Sequence, residues 1–206
     1  MAQADLFDDR LPAAPAPAVL PQGMVYQRDF LGPGEEGNLV RLIQSWPLEA
    51  MRYKTYTAWR RVLSFGGKYD FETNRLQASL PIPQELAPLQ AKVAGWLGVA
   101  STAFTQVLVA EYSEGTPLGW HRDVPDFEDV VGVSLLDDAV MRFRPWSPEG
   151  RKRSDALKLA LERRSIYLLR GPSRWAWQHS ISPTRSLRYS ITFRTAAAGR
   201  RAPVSA

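Results

Sequence analysis

The stretch FTQVLVAEY (104–112) marks the point where the sequence changes from helical periodicity to short runs of β-forming residues. Further runs of this kind are DVVGVSLL (129–136), VMRFRPW (140–146), SIYLLR (165–170), WAWQHSI (175–181) and LRYSITFRT (187–195), and turn residues separate most of them. Many short strands divided by turns are typical of an all-β sandwich or barrel. The sequence therefore predicts a β-rich core, which we assign to residues 101–195.

Two amphipathic segments precede this core. Residues 35–46 and 84–99 each place apolar side chains on one face at helical spacing. We expect two helices that pack on one side of the core, so the predicted fold class is mainly β with flanking helices (α+β). Between the helices, residues 61–65 are predicted to form a strand and Gly66-Gly67 a turn.

The two ends of the chain differ from its middle in composition. Residues 1–22 are rich in Ala and Pro and lack periodicity, and residues 196–206 resemble them, so we interpret both as flexible segments. One folded domain is expected over residues 23–195, with helices and a substrate lid within 23–100.

Composition limits the chemistry that the chain can perform. The 206 residues include no cysteine and only two histidines, and the net charge is +5. Without cysteine there are no disulfides and no thiolate metal ligands, so any metal must bind histidine and carboxylate. No apolar run approaches the ~18–20 residues of a membrane span, and no signal-peptide pattern is present. We expect a cytoplasmic protein, with no membrane partner and with a monomer favoured.

The two histidines stand out because one of them lies beside an aspartate. Residues 119–125 read GWHRDVP, and the second histidine, His179, lies in a different β-forming run. Residues two apart in a strand point to the same side, so His121 and Asp123 are predicted to project together. Two imidazoles and one carboxylate are the facial triad that binds non-haem Fe(II). The same ligand types can also bind zinc, so the identity of the metal is left open. A His-x-Asp match can also be a hydrogen-bonded structural pair without a metal.

The last β-forming run, RYSITFR (188–194), separates two kinds of side chain by alternation. Apolar residues fall on one face, and Arg188, Ser190, Thr192 and Arg194 fall on the other. If the polar face points into a barrel, two guanidinium groups enter a cavity and need an anion, for which a dicarboxylate is suited. The alternative is a half-exposed strand whose polar face meets water.

Together these segments resemble the AlkB family of Fe(II)/2-oxoglutarate dioxygenases. The matching residues are His121-x-Asp123, His179 in WQHSI, and RYSITFR, which is close to the family's Arg-x-Asn-x-Thr-x-Arg signature. The resemblance covers roughly residues 24–195 and implies a double-stranded β-helix (jelly-roll, cupin-like) core.

The resemblance also implies a role for each matched residue. His121, Asp123 and His179 would be the catalytic iron ligands. Arg188 would bind the distal carboxylate of 2-oxoglutarate and Arg194 would be a second anchoring arginine. Tyr112 would hydrogen-bond the co-substrate, and Ser190 stands where the family has asparagine. The implied reaction uses O2, converts 2-oxoglutarate to succinate and CO2, and removes N-methyl groups as formaldehyde.

The implied partner is alkylated DNA or RNA, with DNA repair as one context. The aromatic and basic stretch 52–71 would contact the base and the phosphates, and the candidate substrate-binding residues are Trp59, Arg61, Tyr69 and Trp120. Residues 141–174 contain ten Lys or Arg and three acidic residues, which suits a phosphate backbone or simply a solvated face.

Two alternatives to a nucleic acid demethylase follow from the same features. The same oxygenase chemistry can act on a protein side chain or a small molecule. A jelly-roll can also serve as a non-catalytic binding module, although such a module has no need of all three ligands and both arginines.

Overall fold

The computed structural model of the protein describes residues 20–53, 56–70, 73, 75–146 and 156–198. Most of the predicted N-terminal arm and C-terminal tail lie outside these residues, as do Arg151, Lys152 and Arg153 of the basic segment. Within the described residues, no helix has the length and apolar character that crossing a membrane requires.

The described residues form three α-helices, two short 3-10 helices (Gln84–Leu86 and Ser101–Ala103) and thirteen strands. The helices are α1 (Pro33–Gln44), α2 (Ala87–Leu97) and the short α3 (Pro172–Trp175). The strands are β1 (Met24–Gln27), β2 (Glu49–Tyr53), β3 (Tyr56–Phe65), β4 (Gly67–Asp70), β5 (Arg75–Ala78), β6 (Phe104–Tyr112), β7 (Leu118–His121), β8 (Phe127–Leu135), β9 (Ala139–Pro145), β10 (Leu157–Leu161), β11 (Ile166–Leu169), β12 (Trp177–Ile181) and β13 (Arg188–Ala196).

Most strands belong to two antiparallel sheets that face each other. The larger sheet has the order β1-β11-β8-β13-β6-β3-β2 and the smaller one has the order β10-β9-β12-β7, while β4 and β5 form a separate ribbon. Two such sheets with a cavity between them form a double-stranded β-helix. The predicted fold class, mainly β with flanking helices around a jelly-roll core, is confirmed.

The two long helices cover the larger sheet on its side away from the cavity. Leu39 and Ile43 of α1 and Val93 of α2 are buried in one apolar cluster with Val109 and Ile191 of the sheet. The start of α1 is closed by the Glu35 carboxylate, which accepts a hydrogen bond of 2.7 Å from the Gly32 N–H. Both predicted helices are confirmed, and their packing leaves the opposite face of the sheet for the cavity.

The N-terminal part of the domain contains more strands than the sequence predicts. Only residues 61–65 were expected to be extended, yet β3 begins at Tyr56, and β1, β2, β4 and β5 lie in the same region. Strand β10 was not predicted either, because LKLAL consists of good helix formers. It is extended because it pairs with β9 along its whole length, and sheet pairing overrides such propensities.

One glycine of the sheet is required by a neighbouring ring. A Cβ on Gly132 of β8 would lie 2.3 Å from ring carbons of Tyr167 and 2.5 Å from its hydroxyl oxygen. We expect Gly132→Ala to lower the free energy of unfolding by about 1–3 kcal/mol, because the ring or the strand must move. Urea unfolding measures this change. Gly119→Ala is the matched control, since nothing lies within 4 Å of a Cβ there, and equal losses in both variants would contradict the prediction.

Candidate metal centre and co-substrate cavity

A cavity of about 900 Å³ lies between the two sheets. The alternation predicted for β13 is confirmed: Tyr189, Ile191 and Phe193 are buried against the helices on the far side of the sheet. The polar residues of the same strand line the cavity, and they are Arg188, Ser190, Thr192 and Arg194. The guanidinium groups therefore point inward, as a site for an anion requires.

Three side chains meet at one side of this cavity as the sequence predicts. His121 on β7 and His179 on β12 are directly opposite each other in the smaller sheet, with ring centroids 4.2 Å apart. Asp123 Oδ2 lies 3.6 Å from His179 Nε2. One potential ligand atom from each residue lies within 4.8 Å of the others, which brings the whole predicted triad together.

The reason given for this convergence from the sequence was wrong in one respect. Strand β7 ends at His121, so Asp123 follows the strand and is not placed by strand alternation. Its carboxylate is held instead by Arg194, whose Nη2 and Nε donate to Asp123 Oδ1 over 2.7 and 3.1 Å. A loop residue is thus fixed by a charge-assisted contact from the opposite sheet.

The charges and protonation of these groups suit a divalent cation. Burial opposes ionisation of Asp123, but Arg194 and the two imidazoles hold the pKa of its carboxyl well below its usual range. Burial and the neighbouring His121 lower the pKa of His179 to about 3, and burial also lowers the pKa of His121. The site therefore presents one carboxylate and two neutral imidazoles, the protonation states that metal binding requires.

Two side-chain atoms, Asp123 Oδ2 and His121 Nε2, also indicate that the site is suited to a divalent cation. Asp123 Oδ2 is buried and has no hydrogen-bond partner among the described residues. The Gly119 carbonyl oxygen lies 2.9 Å from His121 Nδ1 and can only accept, so Nδ1 carries the proton and Nε2 keeps its lone pair. A buried acceptor without a donor is costly, and an Fe(II) ion bound by His121, Asp123 and His179 removes that cost.

Arg188 is the group best placed to hold a carboxylate of 2-oxoglutarate. Its side chain is buried, its Nε and Nη2 donate to Ser134 Oγ over 3.2 and 3.1 Å, and it stacks on Tyr112 with 5.1 Å to the ring centroid. Among the described residues it forms no ion pair with a carboxylate. An unpaired buried guanidinium is unfavourable, so this position is suited to an anionic ligand.

Arg194, the predicted second anchor of 2-oxoglutarate, lines the cavity and also contacts two side chains of the protein. Its Nη1 donates to Gln106 Oε1 over 2.7 Å, while Nε and Nη2 are taken by Asp123. Each of the three nitrogen atoms therefore contacts a protein oxygen atom, and Arg194 orients Asp123. Nη1 and Nη2 each carry a second N–H, so a contact with 2-oxoglutarate stays a prediction, and Arg188 is the arginine without an acidic partner among the described residues.

Tyr112 and Ser190 lie together on the cavity wall, as expected for co-substrate contacts. Burial raises the pKa of the Tyr112 hydroxyl, but Arg60, Arg188 and hydrogen bonds from Arg60 and Ser190 outweigh it, so the net pKa is lowered. The hydroxyl group therefore lies in a positive part of the cavity. That environment favours an anion beside it.

The four candidate substrate residues do not all reach the cavity. Tyr69 and Trp120 line it, and Trp59 lines it with 68% of its surface exposed. Arg61 does not, because it points to the other side of β3 and forms a bidentate pair with Glu111 at 2.7 and 2.8 Å. Its neighbour Arg60 lines the cavity instead. The arginine of β3 that faces the cavity is therefore Arg60, one residue before the predicted Arg61.

One supporting residue was missed entirely. Arg174 is 2% exposed, and its Nη2 donates to the carbonyl oxygens of Val124 and Phe127 over 2.6 and 2.9 Å. These contacts fix the loop that follows Asp123. The arginine of PSRW carries no sequence signal for this role, because its partners are backbone atoms about 50 residues away.

The two buried histidines give the metal-free protein a characteristic pH dependence. Both imidazoles are held neutral in the folded state, whereas in the unfolded chain they titrate near pH ~6.5. Below that pH the unfolded state binds more protons, so stability falls as the pH decreases. We expect the melting temperature of metal-free protein to drop between pH ~7.5 and ~5.5. Since the chain has only two histidines, the variant with both changed to Asn is the control and should show a flatter profile. An unchanged wild-type melting temperature would contradict neutral burial.

Comparisons with known proteins agree with this geometry. Residues 24–194 match the model of the family described as the 2OG-Fe(II) oxygenase superfamily. The tRNA (carboxymethyluridine(34)-5-O)-methyltransferase ALKBH8 of Mus musculus is 27% identical over 173 residues, covering 81% of this chain and 25% of that protein. The alkylated DNA repair protein ALKBH8 homolog of Arabidopsis thaliana is 29% identical over 180 residues, covering 77% of this chain and 50% of that protein. The chain thus spans a quarter to a half of the length of these relatives.

Solved structures show the same fold. OsALKBH1 superposes with a TM-score of 0.64 at 18% identity, covering 85% of this chain and 99% of that one. A prolyl hydroxylase from Trichoplax adhaerens, in complex with a hypoxia inducible factor peptide fragment, superposes with a TM-score of 0.62 at 17% identity. That match covers 89% of this chain and 88% of the hydroxylase.

Proposed function

Because the chain belongs to the 2OG-Fe(II) oxygenase superfamily, we propose that this dioxygenase removes alkyl groups oxidatively from nucleic acid bases. The cofactors of the family are Fe(II), 2-oxoglutarate and O2, and His121, Asp123 and His179 form the site that fits the iron. When bound, the iron supplies the oxidation of a substrate C–H bond coupled to conversion of 2-oxoglutarate and O2 to succinate and CO2.

The protein's own residues contribute orientation and charge to this reaction. Arg194 keeps Asp123 ionised and fixed, and Arg188 binds a carboxylate of 2-oxoglutarate in a position where no acid of the described residues pairs with it. The buried side chains of Asp123 and His179 limit the access of water to the reacting centre. When the oxidised carbon is an N-methyl group, the resulting N-hydroxymethyl group releases formaldehyde and leaves the N–H of the base.

The observation that carries the choice of substrate is the basic and aromatic rim of the cavity. Trp59 is 68% exposed at this rim, and Tyr69, Arg60 and Lys68 line the same wall. An exposed tryptophan beside cations suits an extruded base and its phosphates. The names of the relatives, a tRNA methyltransferase and an alkylated DNA repair protein homolog, support the same substrate class.

Formaldehyde release across a panel of substrates tests this proposal. The enzyme with Fe(II), ascorbate and 2-oxoglutarate is incubated with N-methylated single-stranded RNA, single-stranded DNA, duplex DNA and N-methylated peptides. We expect formaldehyde from at least one nucleic acid and none from the peptides, with the His179→Ala variant as the inactive control. Formaldehyde from the peptides alone, or 2-oxoglutarate turnover that no nucleic acid stimulates, would contradict the proposal and favour a protein or small-molecule substrate.

A further inference from the structure

The smaller sheet has one face toward the cavity and one face toward the outside. Met141, Phe143 and His179 point inward. The alternate residues of the same strands point outward. Side chains of β7 and β10, and of the residues that directly follow β7 and β9, lie at the edges of this outer surface. The outer arginine face consists of Arg122, Arg142, Arg144 and Lys158 with Trp120 and Trp146.

The three arginines of the outer arginine face donate hydrogen bonds to neutral groups of the described residues. Arg142 Nε donates to Ser180 Oγ over 3.0 Å, Arg144 Nε donates to Gln178 Oε1 over 2.8 Å, and Arg122 Nη1 donates to the Trp175 carbonyl oxygen over 3.1 Å. Within the part of the chain that the structure describes, none of its four cations forms an ion pair with a carboxylate. Among the described residues, the face is therefore a concentration of positive charge without acidic partners.

This arrangement differs from that of three exposed arginines elsewhere in the protein. Arg28, Arg163 and Arg170 each pair with a carboxylate at 2.5 to 2.7 Å. Among the described residues, Glu128 shares the neighbour Trp175 with Arg122, and it accepts a hydrogen bond of 3.1 Å from the Trp175 indole N–H. Charge on this face is thus left for a partner that is itself anionic.

The tryptophans hold the guanidinium groups in fixed planes. Arg144 and Arg142 lie 4.5 and 5.1 Å from the ring centroid of Trp120, and Arg122 lies 3.9 Å from that of Trp146. Trp146 remains 41% exposed. Stacked arginines beside an accessible indole combine phosphate donors with a platform for bases, which is how proteins bind single strands.

The outer arginine face is continuous with the mouth of the cavity. Trp120 and Arg122 flank the ligand His121 in sequence, and both also line the cavity. Arg142 and Arg144 are two residues apart in β9, so their Cα atoms are separated by about 7 Å, which is comparable to successive phosphates of an extended strand. A chain leaving the cavity past Trp120 therefore meets these two arginines next.

We propose that the outer arginine face binds the sugar–phosphate backbone of the single-stranded nucleic acid whose alkylated base enters the cavity. This inference rests on the proposed function, since it assigns a path to the same substrate. It places backbone contacts on the iron-binding sheet, on the side of the cavity away from Trp59 and Lys68.

Fluorescence anisotropy with labelled 15-nucleotide single-stranded RNA and DNA over a range of salt concentrations tests this assignment. For Arg142→Gln/Arg144→Gln we expect roughly tenfold weaker binding at low salt, and a slope of log Kd against log salt reduced by about 1.4, because two phosphate contacts are lost. Trp146→Ala should weaken binding without changing that slope, since it removes a stacking surface and no charge. Melting temperatures of the iron-loaded variants report whether they fold.

The matched control is Arg41→Gln/Lys92→Gln, which makes the same change in net charge on the helices behind the larger sheet. Normal binding by this control and weak binding by the arginine variant support the assignment. Equal losses in both, or an unchanged slope in the arginine variant, would overturn it. Another outcome is that the wild type releases formaldehyde from oligonucleotides while Arg142→Gln/Arg144→Gln binds them normally. In that case the outer arginine face does not bind the backbone, and the proposed function stands. If the wild type neither binds nor demethylates any oligonucleotide, both fail together.

Discussion

Replacing Asp123 or His179 with alanine is expected to abolish the conversion of 2-oxoglutarate to succinate. Each residue would supply one of the three proposed protein ligands, whose ligand atoms lie within 4.8 Å of one another. The loss should exceed the roughly 10–100-fold that follows removal of a residue that merely supports a metal ligand. Succinate formation and binding of Mn(II), measured by calorimetry, check the two consequences separately.

The matched control for Asp123 is an exposed acid near the same site. Glu114→Gln removes the same charge from the turn between β6 and β7 and should leave succinate formation unchanged. Asp123→Asn keeps the shape of the ligand but loses the charge, so we expect it to bind metal more weakly than the wild type. Normal metal binding by Asp123→Ala would refute the assignment of this carboxylate as a ligand.

Replacing Arg188 with methionine is expected to raise the KM for 2-oxoglutarate by about 100-fold or more. Its guanidinium is buried without an acidic partner among the described residues, so a bound carboxylate would be its counter-charge. Breaking a buried charge pair typically costs about 3–5 kcal/mol, which corresponds to a factor of at least ~100 in affinity. Initial rates over a wide range of 2-oxoglutarate concentrations measure the change.

The same substitution has an opposite effect on the protein without 2-oxoglutarate. An unpaired buried cation is unfavourable, so the melting temperature of ligand-free Arg188→Met should equal or exceed that of the wild type. The stabilisation that 2-oxoglutarate gives the wild type should disappear. Arg185→Met is the control, because Arg185 is exposed in the turn before β13. A normal KM in Arg188→Met would show that the co-substrate carboxylate binds elsewhere.

The parts of the fold that were predictable from the sequence are those set by simple periodicity. Residues 188–194 of β13 alternate polar and apolar side chains, so the sequence placed Arg188 and Arg194 on one face, while the alternative of a solvent-facing strand stayed open. The two histidines were recognisable because the chain contains no others and no cysteine. Strand β10 was not recognisable, since its residues favour a helix and only pairing with β9 makes them extended.

Long-range side-chain contacts were the part that the sequence could not provide. Arg194 lies 71 residues from Asp123, and nothing in RYSITFR distinguishes an arginine that holds a ligand from one that holds a co-substrate. That Arg60 and not Arg61 lines the cavity could not be predicted, because it depends on the register of β3 with β6. Arg174 acts on backbone carbonyl groups, which leave no trace in the sequence.

The most direct test of the central claim is the coupling between co-substrate and substrate. The claim is that iron held by the triad oxidises an alkylated nucleic acid base while 2-oxoglutarate is converted to succinate. Succinate and formaldehyde are measured in the same reaction with an N-methylated single-stranded oligonucleotide and with its unmethylated counterpart. We expect the methylated strand to stimulate succinate formation and to release about one formaldehyde for each additional succinate. Equal succinate formation with both strands and no formaldehyde would contradict the account.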